Sequence, residues 1–237
     1  MKLIWFDSID STQDYIKSHI NGLSDDTCVV ANSQYKGRGR YGHVWYSSLK
    51  DGLYFSILKK DIHIEPLSLV VGVSLFKTIK HLYAIIPFIK WPNDIYVFLE
   101  KPKKVAGILV EKIRENVIIG IGVNLNQEDF PQDISDRAIS LKLFTGKHIS
   151  KQRFLTTFFD FFYDDIDYFK SNGFEAFRHI IDDNLLYKDK YISANGGRVQ
   201  GVLRGVDEYG NILVEKDGNI FSLNAGEIES MISKEMW

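Results

Sequence analysis

Apolar positions along the chain recur with two periods, about two and about 3.6 residues, and the switches between them mark out its elements. Residues 2–6 read as a short strand. Ser11, with Asp14 three positions on, is an N-capping signal for a helix that ends near residue 20. Residues 27–31 form an apolar strand, and residues 52–58, rich in aromatic and branched side chains, form the next. Pro66 then opens a helix in which Leu67, Val70, Val71, Ser74, Leu75, Thr78, Ile79 and Leu82 fall on one stripe at the helical period.

Four strand candidates follow, at 85–91, 95–98, 105–111 and 117–123. The third has so little polarity that burial on both faces is expected. In the fourth, Gly120 and Gly122 lie two apart and therefore share a face, which means that a ligand or a neighbouring element passes close by. Residues 124–141 are irregular and polar, as in a covering loop. Ser150 caps a long helix with Phe154, Leu155, Phe158, Phe161, Phe162, Ile166 and Phe169 on one side, a core stripe, and a shorter helix covers about 174–183. From Tyr187 the texture changes to short strands at 191–192, 199–206, 212–215, 220–223 and 228–231, split by Asn- and Gly-rich turns. Such close-spaced hairpins indicate a small barrel or sandwich. The chain is thus read as α+β, with a mixed sheet and helices over 1–186 and a small β-domain over 187–237.

At 45% hydrophobic and 14% aromatic residues, the 237-residue chain can bury a sizeable core, which excludes a disordered protein. A net charge of −2 argues against a protein that coats nucleic acid, so its basic clusters are local. Cys28 is the single cysteine; no internal disulfide is possible, and its apolar run 28–31 marks a small buried residue rather than a nucleophile. No signal-peptide pattern opens the sequence, and the longest weakly polar run, 67–76, is too short to span a bilayer, so a soluble cytoplasmic protein is expected.

Candidate chemistry concentrates in residues 34–45, Gln-Tyr-Lys-Gly-Arg-Gly-Arg-Tyr-Gly-His-Val-Trp. Glycines at 37, 39 and 42 let backbone approach a ligand, Arg38 and Arg40 offer forked donors for carboxylate or phosphate, and Trp45 offers a stacking face. The stretch reads as a loop around a small anion that carries a base, or else as a solvated basic turn or an RGG-like segment touching nucleic acid. Residues 90–104 and 120–126 share its character, with basic, Asx or Gly residues at strand ends, where ligand sites gather.

GRGRYGHVW (37–45), KWPNDIYV (90–97), KVAGILVE (104–111) and GIGVNLN (120–126), in that order, resemble the biotin protein ligases, also called biotin–acetyl-CoA-carboxylase ligases. Ser11-Thr12 and GVDEYGNILVE (205–215) fit the same pattern, so the resemblance covers essentially the whole chain. It implies a catalytic domain like that of the class II synthetases and an SH3-like C-terminal barrel. It implies a two-step reaction with ATP, Mg²⁺ and biotin, without a tightly bound prosthetic group. Biotin's carboxylate attacks the α-phosphate of ATP to give biotinyl-5′-AMP, and a lysine of the biotin carboxyl carrier protein domain of acetyl-CoA carboxylase then displaces AMP.

The resemblance also implies roles. Lys104 is the cation between carboxylate and α-phosphate and, with Arg40, is catalytic; Arg40 and Arg38 bind the phosphates and close the loop, and Gly37, Arg38, Arg40 and Lys104 also contact biotin. Ser11, Thr12 and Gln34 hydrogen-bond biotin's ureido head, while Gly107 and Gly122 leave room for its rings. His43, Trp45 and Asn124 lie at the nucleotide, and Asn93 and Asp94 hold Mg²⁺ with the phosphates. Since the mixed anhydride hydrolyses readily, the 36–44 loop is expected to order over it and to be mobile without ligand.

The chain departs from the family pattern at three places: His43 stands where Arg is usual, Tyr41 where a second basic residue is common, and Gln13 where Asn is frequent. The catalytic pattern starts at the first residue, from which a ligase without DNA binding or membrane association is expected, as a monomer or weak homodimer. A lipoate ligase of related fold would lack the GRGR-type loop. A non-catalytic binding module would need no intact KWPND and KVAGILVE stretches.

Overall fold

The structure, a computed structural model, describes residues 1–47, 51–60, 62 and 65–230. In chain order its first elements are β1 (Lys2–Ile9), α1 (Thr12–His19), β2 (Thr27–Gln34), β3 (Leu53–Lys60), α2 (Leu67–Tyr83), β4 (Phe88–Lys90) and β5 (Asp94–Phe98). Then come β6 (Pro102–Ile113), β7 (Asn116–Val123), α3 (Leu141–Thr145), α4 (Lys151–Asn172) and α5 (Glu175–Asp183). The last are β8 (Tyr191–Ala194), β9 (Val199–Val206), β10 (Ile212–Lys216), β11 (Asn219–Leu223) and β12 (Ile228–Ser230). Met231, assigned from sequence to the final strand, lies outside the described residues. Two compact units emerge: Met1–Ile64 with Lys103–Leu155, and Glu65–Pro102 with Thr156–Trp237.

In the first unit the strands lie in the order β1-β2-β3-β7-β6. β1 and β2 are parallel and the other pairs antiparallel, which makes the sheet mixed, as the sequence pattern indicates. The apolar runs of β2 and β3 are buried almost without interruption. Ser11 caps α1 by accepting a 3.3 Å bond from the Asp14 amide. Only eight residues long, α1 depends on packing for its stability. Ile16 supplies it, in a cluster with Leu23, Val29, Leu58 and Ile118. That seat fixes the first turn of α1, with Ser11, Thr12 and Gln13, over the sheet. The register of β3 on β7 pairs Ser56 with Gly120 and Tyr54 with Gly122, and β6 sets Gly107 directly opposite Gly122.

The stretch after β7 is irregular as expected, but its start is no surface cover. Asn124, Leu125, Asn126 and Gln127 are all buried. Asn126 exchanges hydrogen bonds with the backbone of Ile149, donating at 3.0 Å and accepting at 2.8 Å. Polar side chains there satisfy buried backbone rather than solvent. α3, capped by Ser140, was not legible because five residues are too few to show a helical period.

In the second unit, α2 is buried on nearly every side between Leu69 and Phe76, more than the single stripe its sequence marks. β4 spans three residues where seven were expected: Pro87 has no amide to give a ladder, and Ile86 is exposed. The phenylalanine stripe of α4 is core: Phe154 is fully buried in the first unit, where the helix starts, and Phe158 and Phe162 are fully buried in the second and stacked at 5.5 Å, with Phe161 only half-buried, against the His81 ring. The strands after residue 187 form one antiparallel sheet in the order β11-β10-β9-β8-β12. Asp207 organises its β9–β10 turn by accepting from the amides of Tyr209 and Asn211 and from Ser222. No helix among the described residues is long and apolar enough to cross a membrane.

Within the stripe of α4 sits a buried carboxylate, Asp165, which receives Ser74 Oγ at 2.8 Å and is paired with Lys77. Burial raises its pKa, and the bonds from Lys77 and Ser74 pull against that rise. Lys77→Met should cost about 2 kcal/mol in urea unfolding, a third of the lysine being exposed. The unfolded carboxyl titrates lower, so between the two pKa values stability falls as pH rises. The deficit of the variant should therefore shrink as the pH is lowered towards the raised pKa.

Candidate active site

The polar corner of the first unit forms where α1 begins. Thr12 donates to Gln34 Oε1 from its amide at 2.9 Å, and its hydroxyl lies 3.1 Å from the same oxygen and 2.8 Å from Ser56 Oγ. Ser11 and Thr12 are buried, and Gln34 ends β2. Ser11, Thr12 and Gln34, grouped from sequence, do come together.

Residues 37–45 fold back on themselves: Trp45 N bonds Gly37 O at 2.9 Å and Gly39 N bonds His43 O at 2.8 Å. The bend passes through Tyr41 and Gly42, both at positive φ, and Tyr41 and His43 are exposed. A methyl group on Gly37 would lie 2.5 Å from the Trp45 carbonyl, so this glycine serves the loop's own closure. Arg40 lies over the ring of Tyr41, 4.8 Å from its centroid. Arg38 bonds Asp14 at 2.7 Å and Glu111 at 3.2 Å, and Lys36 bonds Asp10 at 2.7 Å.

Trp45 turns inward onto bare backbone. A methyl on Gly122 would lie 2.4 Å from its Cε2, and one on Gly107 2.8 Å from its Cζ3. The indole Nε1 is buried with no hydrogen-bond partner among the described residues. Lys104 Nζ lies 5.1 Å from the indole centroid and 3.1 Å from where a Gly107 Cβ would be. Asn124 is bound to the same strand, its amide to Val105 O at 2.8 Å and its Nδ2 to Lys104 O at 3.4 Å. The backbone of Lys104 is held on its other side by Arg137 and Ile139. Lys104, Gly107, Gly122, Trp45 and Asn124 therefore form one cluster.

Gly120, on the same face of β7 as Gly122, is covered by a neighbouring side chain rather than by this slot: a methyl there would lie 2.4 Å from Gln13 Oε1. Gln13, Ser56 and Glu111 were not assigned roles from sequence. A polar serine within β3 and a carboxylate closing the apolar run of β6 were the signals available, since buried polar groups need partners. Burial would raise the pKa of Glu111, but hydrogen bonds from Lys17 and Gln13 and the charges of Lys17 and Arg38 outweigh it and hold the carboxyl low. The Glu111 pairs are thus complete above the ordinary carboxylate pKa and are lost only as pH falls through the lowered one. Burial pushes the Cys28 thiol up, in keeping with an inert residue.

Asn93 and Asp94 belong to the second unit. They sit at the β4–β5 turn, where Asn93 N bonds Lys90 O at 3.2 Å and Asp94 pairs with Lys90 across the ladder. No group of three or more His, Cys, Asp or Glu residues that could hold a metal occurs among the described residues.

The pattern of the biotin/lipoate A/B protein ligase family matches residues 5–126. The bifunctional ligase/repressor BirA of Bacillus subtilis is 33% identical over 96% of this chain and 73% of its own length. The biotin–[acetyl-CoA-carboxylase] ligase of Mycobacterium tuberculosis is 31% identical over 49% of this chain and 45% of its own. Among solved structures, the biotin protein ligase from Aquifex aeolicus in complex with biotin and ATP superposes with a TM-score of 0.90, at 35% identity over 98% of this chain and 99% of that one.

The slot geometry gives a direct test. Gly122→Ala should drive the indole off β7 without unfolding the sheet, because the added methyl meets a side chain that can rotate. The difference in fluorescence with and without Trp45→Phe isolates this indole, and in the Gly122→Ala background its emission should shift to the red.

Proposed function

The chain belongs to the biotin/lipoate A/B protein ligase family, and we infer that it is a biotin protein ligase whose glycine-lined slot and Lys104 carry out acyl adenylation. The observation that carries the reading is the placement of Lys104 Nζ at the slot formed by Gly107 and Gly122, with Trp45 and Asn124 beside it. A cation beside a slot open to rings is what a carboxylate at the end of an aliphatic chain requires when it must approach a polyphosphate.

In the first step a biotin carboxylate oxygen bonds to the α-phosphorus of ATP, the bond to the bridging oxygen breaks, and pyrophosphate leaves. Lys104 offsets the repulsion between the two anions, and Arg40 and His43 meet the phosphates from the loop. Ser11, Thr12 and Gln34 receive the ureido head at the polar corner. Gly107 and Gly122 leave their backbone open to the rings, a surface that the Trp45 indole covers in this structure. The indole gives up that seat to biotin and moves to the adenine, and its buried donor, unpaired among the described residues, makes the seat less favourable to hold. Asn124 contacts the nucleotide.

Asn93 and Asp94 carry the kind of oxygen donors that Mg²⁺ takes and would hold that ion, which would supply neutralisation of phosphate charge. In the second step the amine of a carrier lysine attacks the acyl carbon, an amide forms, and AMP leaves. The carrier is a biotin carboxyl carrier domain of acetyl-CoA carboxylase, a partner that the name of the mycobacterial relative supports.

Pyrophosphate exchange into ATP should depend on biotin and not on lipoate; exchange with lipoate alone would reverse the assignment. Lys104→Ala should lower that exchange by about 100-fold while thermal unfolding stays two-state, the scale of removing a group that stabilises developing charge. His43→Arg, which adds a permanent cation to an exposed loop position, should slow release of biotinyl-5′-AMP in rapid-filtration assays.

A further inference from the structure

The arginine loop is tied to the polar corner by a continuous run of hydrogen bonds that no motif announces. It starts at Gln34 Oε1, which accepts from the Thr12 amide at 2.9 Å; the Thr12 hydroxyl then donates to Ser56 Oγ at 2.8 Å, and Ser56 Oγ donates to Gln13 Oε1 at 3.1 Å. Gln13 Nε2 then donates to Glu111 Oε2 at 2.9 Å, and Glu111 Oε1 accepts from Arg38 at 3.2 Å and Lys17 at 2.8 Å. The other arm of the Arg38 guanidinium is on Asp14 at 2.7 Å. Arg38 thus bridges a helix and a strand, with one donor on each. Swinging it onto a phosphate would break both pairs and leave the partly buried Glu111 with one cation fewer.

We propose that Glu111, together with Asp14, is a positioning residue of the ligase, holding Arg38 as the fixed anchor about which the 36–45 loop closes. Arg38 acts through these carboxylates rather than on the phosphates, which fall to Arg40. Gln13 joins the anchor to the corner that takes the ureido head, so that the loop and the head site hold each other in register. The proposal rests on the ligase reading and adds to it the part of the fold that retains the intermediate.

A double-mutant cycle on retention of biotinyl-5′-AMP tests it. Arg38→Gln and Glu111→Gln should each speed release about tenfold, and the double variant should be no faster than the faster single one, because both remove one interaction. Glu111→Asp, which keeps the charge, should recover part of the retention, and thermal unfolding of each variant reports the fold separately. Should Glu111→Gln fail to fold, Asp14→Asn takes its place in the same cycle. Release rates that multiply in the double variant, or a carboxylate variant that releases like the wild type, would overturn the proposal. A wild-type protein that forms no biotinyl-5′-AMP would overturn the ligase reading, and this proposal with it.

Discussion

The first unit is built around side chains that are missing. Gly107, Gly120 and Gly122 leave a strip of β6 and β7 without Cβ atoms, and two large side chains use that strip: Gln13 over Gly120 and Trp45 over Gly122 and Gly107. The strip exists because the register pairs Gly107 with Gly122 and places Gly120 two residues away on the same face. A shift of one residue in β7 would turn the glycines to the other face and present Ile119, Ile121 and Val123 instead. The register itself is held by the buried branched residues of β2, β3 and β7, so the site inherits its shape from the core.

Much of this was legible in the chain. The helix that Ser11 caps, the apolar strands, the phenylalanine stripe and the shared face of Gly120 and Gly122 all follow from local periodicity and capping chemistry, which act over a few residues. The polar corner of Ser11, Thr12 and Gln34 and the cluster of Lys104 with Trp45 and Asn124 followed from motif resemblance instead. No spacing rule brings Thr12 to Gln34 or Trp45 to Gly122.

What stayed hidden depends on partners distant in sequence. Asn124, Asn126 and Gln127 are polar and look solvated, yet they are buried, Asn124 and Asn126 on the backbone of Lys104 and Ile149 and Gln127 on the Tyr54 hydroxyl and the Asn124 side chain. Arg38 and Arg40 look equivalent in the motif, but one lies between two carboxylates and the other on a tyrosine ring. The sequence supplies the charge of each arginine, and the fold decides what meets it. Glu111 was hidden as well, since it closes an apolar run and nothing local names its partners Gln13, Lys17 and Arg38.

Gln13 brings these threads together. The family pattern frequently has asparagine there, and glutamine is one methylene longer. In this chain its amide accepts from Ser56 and donates to Glu111, two groups on different strands. Meeting both requires reach, and it also requires that nothing project from β7 beneath it, which Gly120 provides. A departure from the pattern at one position is therefore matched by an absent side chain on the sheet and by a charge on β6. The loop's first arginine ends at that charge, so a residue that looks like a neutral variation next to Thr12 shares the Glu111 carboxylate with Arg38.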